Sequence, residues 1–259
     1  MERHLEPLML LPAMGCDGRL WSRQIMDLGD LAHPEFGDLS RDTSIHAMAA
    51  RVLADAPPRF AVAGVSLGGY VAMEIIRQAP DRVTRIALFG TRASMEARPR
   101  SVADQGSLAT APHADPQLSA IVSGPVQAMA ERVGPGVFDR QQEALLARPD
   151  ITEAIAAIRV PTLVAVGDRD RICSPDDAKA LAARIPGAAF HILRACGHLS
   201  PMERPGEVTM LLRGWLGGGP AGFDGRGPRP VSADRFLRCD GTAVHHERDM
   251  FEPGDVLKR

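Results

Sequence analysis

The segment Phe60-Ala61-Val62-Ala63-Gly64-Val65-Ser66-Leu67-Gly68-Gly69-Tyr70 joins an apolar run to a helical pattern through a serine flanked by glycines. A Gly-x-Ser-x-Gly sequence at a strand-to-helix turn projects the serine hydroxyl above a sheet, because the small residues let the neighbouring backbone pass. The helix that follows directs its N–H groups and positive dipole end toward an anion at the serine. We therefore predict that Ser66 is a nucleophile. The alternative is an ordinary serine in a Gly-rich turn.

Around this segment, short apolar runs alternate with segments of helical period. Five strands are predicted, at 8–13, Phe60–Val65, Val83–Phe89, 160–166 and Ala189–Leu193. Helices are predicted between and after them, at 44–56, 67–79, 174–185 and 207–216. Strands that are apolar throughout are buried on both faces, which requires helices on both sides of a mostly parallel sheet. The pattern predicts an α/β fold with a doubly wound sheet.

Two long segments depart from this alternation. The domain predicted at 1–216 contains an insertion at about 92–158, which is far longer than an ordinary crossover. Helical patterns near 117–133 and 137–147 predict that this insertion is a small helical cap over the sheet. Residues 217–259 begin with Gly-Gly-Gly-Pro and lack apolar periodicity, which predicts a flexible tail. We expect its adjacent His245 and His246 to be solvated, although two histidines could bind a metal.

Composition excludes several classes of function. The 259 residues include 30 basic and 32 acidic side chains, so a net charge of −2 offers no attraction to nucleic acid or to an anionic membrane. Four cysteines without a Cys-x-x-Cys pair predict neither a disulfide framework nor a metal site, and fit a cytoplasmic location. No apolar stretch approaches the roughly 18 residues of a membrane span. We expect neither a nucleic-acid nor a membrane partner.

A serine nucleophile needs an adjacent base, which is itself held by an acid. His198 follows the last predicted strand, and the carboxyl ends of strands are where open α/β sheets place their sites. His113, in the insertion, is the other histidine that could reach this edge. Asp168 and Asp170 both follow the strand at 160–166, and we favour Asp170 as the acid because it lies further from the strand. The alternative for both is ordinary turn chemistry.

These segments resemble the α/β-hydrolase superfamily, in particular its short-cap esterase-like members. The resemblance runs from about residue 8 to residue 216 and includes the order Ser66, Asp170, His198. It also includes an entry segment at 10–21 and Gly197-His198 followed by Glu203 and Pro205. The resemblance implies the α/β-hydrolase fold and a Ser–Asp–His triad that needs no metal or cofactor. In this family the acid is the third residue after the glycine of its loop, which here is Asp170.

The resemblance also implies an oxyanion hole made by the backbone N–H groups of Met14 and Leu67. Family members commonly have His-Gly after the first core strand, whereas this chain has Pro12-Ala13. Alanine is less free in φ and ψ than glycine, and the usual histidine contacts are absent. Cys16, in the same segment, is expected to be a small packing residue and not a rival nucleophile.

The predicted activity is hydrolysis of a carboxylic ester of a small, partly apolar substrate through an acyl-enzyme intermediate. Trp21, Phe138 and Arg140 are the predicted substrate contacts, with the insertion setting specificity. Arg140 and Arg148 could instead be solvated faces of a helix. The same triad could cleave a thioester, a lactone or a carbon–carbon bond, or transfer an acyl group. A catalytically silent ligand-binding protein on this fold is the alternative from another class.

Overall fold

A single parallel sheet organises the chain. The computed structural model describes residues 5–93 and 116–218, with side chains of the second range described from residue 122. Six strands pair in the order β2-β1-β3-β4-β5-β6, and every pairing is parallel. Their bounds are β1 Glu6–Leu11, β2 Ala32–Phe36, β3 Phe60–Val65, β4 Val83–Phe89, β5 Thr162–Gly167 and β6 Ala189–Leu193.

Helices connect these strands. The described residues form α1 Ser22–Leu28, α2 Ile45–Asp55, α3 Leu67–Gln78, α4 Pro116–Val133, α5 Pro135–Leu146, α6 Thr152–Ala156, α7 Pro175–Arg184, α8 Ser200–Glu203 and α9 Pro205–Gly217. Two short 3₁₀ turns, Gly18–Trp21 and Pro80–Arg82, precede α1 and β4. Across these residues, none of the helices combines the length and the apolarity needed to traverse a bilayer.

Alternate residues of the central strands enter two separate cores. One face packs against α2, α3 and α7 and includes Met9, Leu11, Val62, Ile86, Leu88, Val164 and Val166. The opposite face packs against α1, α4 and α9 and includes Leu8, Leu10, Ala61, Ala63, Val65, Ala87, Phe89, Leu163 and Ala165. Successive strand residues point to opposite sides of a sheet, so continuous apolar runs are needed when both sides are covered. The predicted doubly wound α/β fold is confirmed.

The prediction missed one strand. β2, with the sequence Ala-His-Pro-Glu-Phe, lies at the edge of the sheet and, in the part of the chain that the structure describes, pairs with β1 alone. Proline has no N–H to donate to a neighbouring strand. It is tolerated in an edge strand, where its nitrogen can face away from the sheet. The exposed His33 and Phe36 further weaken the apolar signal. Edge position and mixed polarity explain why this segment was not predicted as a strand.

Two helices of the predicted insertion, near 117–133 and 137–147, correspond to α4 and α5. Residues 94–115, which include His113, lie outside the described residues, and so does nearly all of the predicted tail at 217–259. The extent of the cap and the nature of the tail therefore stay predictions.

The strand order brings two loops together. β1 and β3 are neighbours in the sheet. The chain leaves β1 toward β2 on one side and leaves β3 toward β4 on the other side, so these two connections diverge. In open α/β sheets a crevice forms at such a switch point, at the carboxyl ends of the strands. Met14 follows β1, and Ser66 follows β3. The fold therefore places both predicted groups at one crevice.

Candidate active site

Ser66 lies at a strained turn between β3 and α3. Its backbone has φ 52° and ψ −110°, a region that non-glycine residues rarely adopt. Such a conformation costs on the order of 1–3 kcal/mol and persists only where its surroundings impose it. Here the Ser66 N–H donates to the Phe89 carbonyl at 2.9 Å, which ties the turn to the end of β4.

The glycines of the motif are required by close packing. A Cβ atom on Gly64 would overlap the backbone of Gly68, and a Cβ atom on Gly68 would overlap the carbonyl of Leu11. The first turn of α3 therefore passes directly against both β3 and the end of β1. These approaches explain the residue spacing from which the turn was predicted.

Asp170 and His198 form a hydrogen-bonded pair, in which the aspartate is buried and the histidine is partly exposed. Asp170 Oδ2 lies 2.8 Å from His198 Nδ1, and the aspartate side chain has no solvent exposure. Its other oxygen, Oδ1, accepts the N–H groups of Ile172 at 2.8 Å and Cys173 at 2.9 Å. These bonds fix the carboxylate, which in turn fixes the ring. A neutral imidazole that donates from Nδ1 presents Nε2 as its acceptor.

Asp168 has a different partner. Its Oδ1 accepts the Cys196 N–H at 3.1 Å, and its own N–H donates to the Leu193 carbonyl at 2.9 Å. Of the two aspartates left open by the sequence, Asp170 contacts the histidine and Asp168 braces the loop that carries it.

A buried glutamate holds the histidine loop from the other side. Glu203 Oε1 accepts the Leu199 N–H at 2.9 Å, and Oε2 accepts the Gly197 N–H. The carboxylate thus binds the backbone on both sides of His198 and is itself buried. The sequence pattern contains Glu203 but gives it no role. An acidic residue in the short helix after Gly-His was the available signal.

The Ser66 turn and His198 both lie beside the end of β4. A Cβ atom on Gly90 would lie 3.1 Å from His198 Nδ1 and 3.1 Å from Asp170 Oδ2. The preceding residue, Phe89, accepts the Ser66 N–H. Among the described residues, Ser66 Oγ and the imidazole are not joined by a hydrogen bond. In unliganded sites such bonds are often long and tighten only when substrate binds.

The two predicted oxyanion donors lie on adjacent strand ends. Leu67 is the first residue of α3, and the first N–H groups of a helix have no partner within it. Met14 lies in a turn closed by the Cys16 N–H, which donates to the Ala13 carbonyl at 3.1 Å. Next to Met14, the Gly15 N–H donates to Gln141 Oε1 at 2.9 Å. Gln141 was missed by sequence reasoning.

The cysteines near these loops are buried thiols. Burial raises the pKa of Cys16 to about 12, and the adjacent Asp17 charge acts in the same direction. Burial also raises the pKa of Cys173 and of Cys196. A thiol is nucleophilic as its thiolate, so these environments disfavour reactivity. Cys16 fits the packing role expected of it.

The three predicted substrate contacts lie in different environments. Trp21 is fully buried, donates from Nε1 to the Leu11 carbonyl at 3.2 Å and packs edge-on against Phe89. It therefore belongs to the core and has no surface to offer a substrate. Phe138 lies against Gly15. Arg140 donates from Nε and Nη2 to the Ser40 carbonyl at 3.1 and 3.0 Å.

Arg148 is not a freely solvated residue of a helix face. Its guanidinium lies 4.7 Å from the centroid of the Tyr70 ring, and its Nη1 donates to the Leu145 carbonyl at 2.7 Å.

A metal site requires ligating side chains that are grouped together. Within the described part of the chain, no three His, Cys, Asp or Glu side chains are grouped as metal ligands would be.

Comparisons with known proteins agree with this architecture. A family model described as "Alpha/beta hydrolase family" matches residues 9–210. A pimeloyl-[acyl-carrier protein] methyl ester esterase from Aromatoleum aromaticum is 25% identical over 204 residues, which cover 68% of this chain and 81% of that protein. A proline iminopeptidase from Lactobacillus crispatus is 34% identical over 67 residues. That match covers 26% of this chain, which spans only about a fifth (22%) of the relative.

Solved structures give a longer match. A thermophilic esterase from Thermogutta terrifontis is 26% identical, with a TM-score of 0.66 over 82% of this chain and 89% of that one. An enol-lactonase from Burkholderia xenovorans LB400 is 22% identical, with a TM-score of 0.72 over 84% of this chain and 94% of that one. At this identity the second likeness establishes the fold alone.

Proposed function

The chain belongs to the α/β-hydrolase family, and on that premise we propose that it is a serine hydrolase that cleaves carboxylic esters through an acyl-enzyme intermediate. The observation that carries the proposal is the hydrogen-bonded Asp170–His198 pair, packed on the strand end that also holds the Ser66 turn. A serine, a histidine and a carboxylate in these relations are the parts of a nucleophilic triad.

In the proposed first half-reaction, Ser66 Oγ attacks the ester carbonyl carbon while His198 Nε2 takes the hydroxyl proton. The tetrahedral intermediate collapses as the C–O bond breaks, and His198 returns the proton to the departing alcohol. Asp170 holds the ring in the tautomer that accepts at Nε2 and stabilises the imidazolium. The acyl group is then bound to Ser66.

In the second half-reaction, water attacks the acyl-enzyme while His198 takes its proton. The carboxylic acid leaves, and Ser66 is restored. The N–H groups of Met14 and Leu67 stabilise the oxyanion in both half-reactions, and one such donor contributes about 3–4 kcal/mol when well placed. Every proton in this cycle passes through His198, so the residues present account for it without a cofactor.

We further propose a small, partly apolar ester as substrate and a cytoplasmic location. The methyl ester esterase and the thermophilic esterase among the similar proteins support ester chemistry. Three buried cysteines, Cys16, Cys173 and Cys196, are free thiols, which suits a reducing compartment. Phe138, beside the Met14 turn, is the retained candidate for a substrate contact.

The test is hydrolysis of p-nitrophenyl esters from acetate to long-chain acids, together with thioesters and lactones. We expect wild type to cleave at least the short esters, and Ser66→Ala or His198→Ala to lower kcat by about 10⁴- to 10⁶-fold. A preference for thioesters or lactones would change the proposed substrate class and leave the proposed triad unchanged. A folded wild type inactive on the whole panel, or an active Ser66→Ala variant, would contradict the proposal.

A further inference from the structure

Gln141, on the insertion helix α5, connects two loops of the sheet domain. Its Oε1 accepts the Gly15 N–H at 2.9 Å, and its Nε2 donates to the Leu39 carbonyl at 3.0 Å. The side chain is only 2% exposed. Both ends of a buried amide are therefore used, one on the turn after β1 and the other on the segment after β2.

A second contact from the same helix reaches the same glycine. The Phe138 ring lies 3.6 Å from the position that a Cβ atom on Gly15 would occupy. Phe138 and Gln141 are three residues apart and therefore share one face of α5. Gly15 itself has φ +71°, which glycine adopts without strain. One face of α5 is thus seated on Gly15 through both an apolar contact and a hydrogen bond.

These contacts bear on Met14. The Met14–Gly15 peptide is planar, so holding the Gly15 N–H fixes the orientation of the whole unit and hence ψ of Met14. On the other side, the Cys16 N–H closes the turn onto the Ala13 carbonyl. The Ala13 carbonyl belongs to the same planar peptide as the Met14 N–H, so these two bonds restrain the two peptides that flank the Met14 Cα atom. The Pro12-Ala13 sequence that precedes it has no side-chain donor or acceptor with which to hold the turn.

We propose that Gln141 is a positioning residue that orients the Met14 N–H, so that seating of α5 on Gly15 completes the oxyanion hole. This inference rests on the proposed function. Gln141 touches neither the substrate nor the reacting atoms, and it acts through the Gly15 peptide. Its loss should therefore weaken stabilisation of the transition state and leave binding of the ground-state ester nearly unchanged.

The decisive variant is Gln141→Met, which keeps the side-chain length and removes both hydrogen bonds. We expect kcat on a short p-nitrophenyl ester to fall about 10- to 100-fold with KM changed less than about threefold, as for a misplaced oxyanion donor. Binding of a trifluoromethyl ketone, which forms a tetrahedral adduct with the serine, should weaken by a similar factor. A lower folded fraction alone also reduces the apparent kcat at constant KM, so kcat is calculated per folded molecule. On that basis a purely structural role leaves both kcat and the affinity for the ketone unchanged.

Gln142→Met is the matched control. Gln142 is the next residue on the same helix, and its buried Oε1 has no hydrogen-bond partner among the described residues. The same substitution there should leave kcat within about twofold of wild type. Equal losses in the two variants would overturn the inference, because the effect would then belong to the helix and not to the bond with Gly15.

Gln141→Glu covers the case in which the Met variant folds poorly. Its carboxyl group can still accept the Gly15 N–H, whereas a carboxylate cannot donate to the Leu39 carbonyl. We expect kcat per folded molecule to follow the order wild type, Glu, Met, and a Met variant equal to or faster than the Glu variant overturns the inference. Wild-type kcat in Gln141→Met, with Ser66→Ala inactive, overturns it and leaves the proposed function intact. A folded wild type without esterase activity overturns both.

Discussion

Gly90 lies directly against His198: a Cβ atom on Gly90 would be 3.1 Å from the imidazole Nδ1. The same atom would be 3.1 Å from Asp170 Oδ2. Such separations are tighter than ordinary van der Waals contact, so a side chain at this position would require the pair to shift by a few tenths of an ångström. The absence of a Cβ at the end of β4 thus leaves room for the hydrogen bond between the aspartate and the histidine.

Gly90→Ala should lower kcat by about tenfold, because the imidazole and the carboxylate must shift by a few tenths of an ångström and a shift of about 1 Å costs about 10²-fold. It should also destabilise the fold by about 1–2 kcal/mol, since φ is +53° at this position. The matched control is Gly187→Ala, where φ is +76° and a Cβ atom would meet nothing within 4 Å. Ester hydrolysis and thermal unfolding measure both effects. A Gly187 variant that loses as much kcat as the Gly90 variant would disprove the explanation.

The two aspartates of one loop should respond differently to the same substitution. Asp170→Asn should lower kcat by about 10⁴-fold, because the amide favours the wrong imidazole tautomer. Asp168→Asn should lower it by less than about tenfold, since an amide oxygen can still accept the Cys196 N–H. The measurement is steady-state hydrolysis of one ester by both variants, which compares their losses of kcat. A larger loss in Asp168→Asn would reverse the assignment.

Glu203→Gln should reduce both activity and stability. The carboxylate accepts backbone N–H groups on either side of His198, and an amide has only one oxygen to serve them. A buried N–H left unpaired costs about 1–3 kcal/mol, and we expect kcat to fall about tenfold as the loop relaxes. Glu207→Gln removes a carboxylate paired with His191 near the surface and should cost under about 1 kcal/mol. Denaturant unfolding compares the two, and equal costs would exclude a special role for Glu203.

Glu74, outside the candidate site, should make stability depend on pH. Burial opposes ionisation, but hydrogen bonds from Arg77, Gln78 and His46 outweigh it and lower the pKa of Glu74 from 4.5 to about 2. A lowered pKa means that the charged form stabilises the fold above pH 4.5 and that this contribution is lost as pH falls toward 2. Glu74→Gln should lower Tm at pH 7, and the difference from wild type should shrink across that window. A difference that is constant with pH would contradict the assignment.

The sequence was sufficient where local pattern decides structure. Five strands and the turn at Ser66 follow from apolar runs and from glycine spacing, which are properties of short segments. The order Ser66, Asp170, His198 was predicted from loops that follow strands and from the family resemblance, and the roles of these residues stay predictions. β2 was missed because an edge strand tolerates proline and polar residues. Trp21 was predicted as a substrate contact, whereas its indole is fully buried in the core.

Contacts between distant segments could not be predicted in this way. The bond from Gly15 to Gln141 joins residues 126 positions apart, and it depends on where α5 is seated. The choice between Asp168 and Asp170 depends on which carboxylate the loop turns toward His198, and the two side chains find partners 28 residues away. The spacing from Gly167 favoured Asp170, but neither periodicity nor spacing shows which groups the two carboxylates contact.

The most direct test of the account is to identify the residue that a fluorophosphonate modifies, by intact mass and peptide mapping. We predict one adduct per chain, located on Ser66, absent from Ser66→Ala and strongly slowed in His198→Ala. An adduct on another residue, or a folded wild type that takes up no label, would contradict the claim that His198 activates Ser66 as a nucleophile.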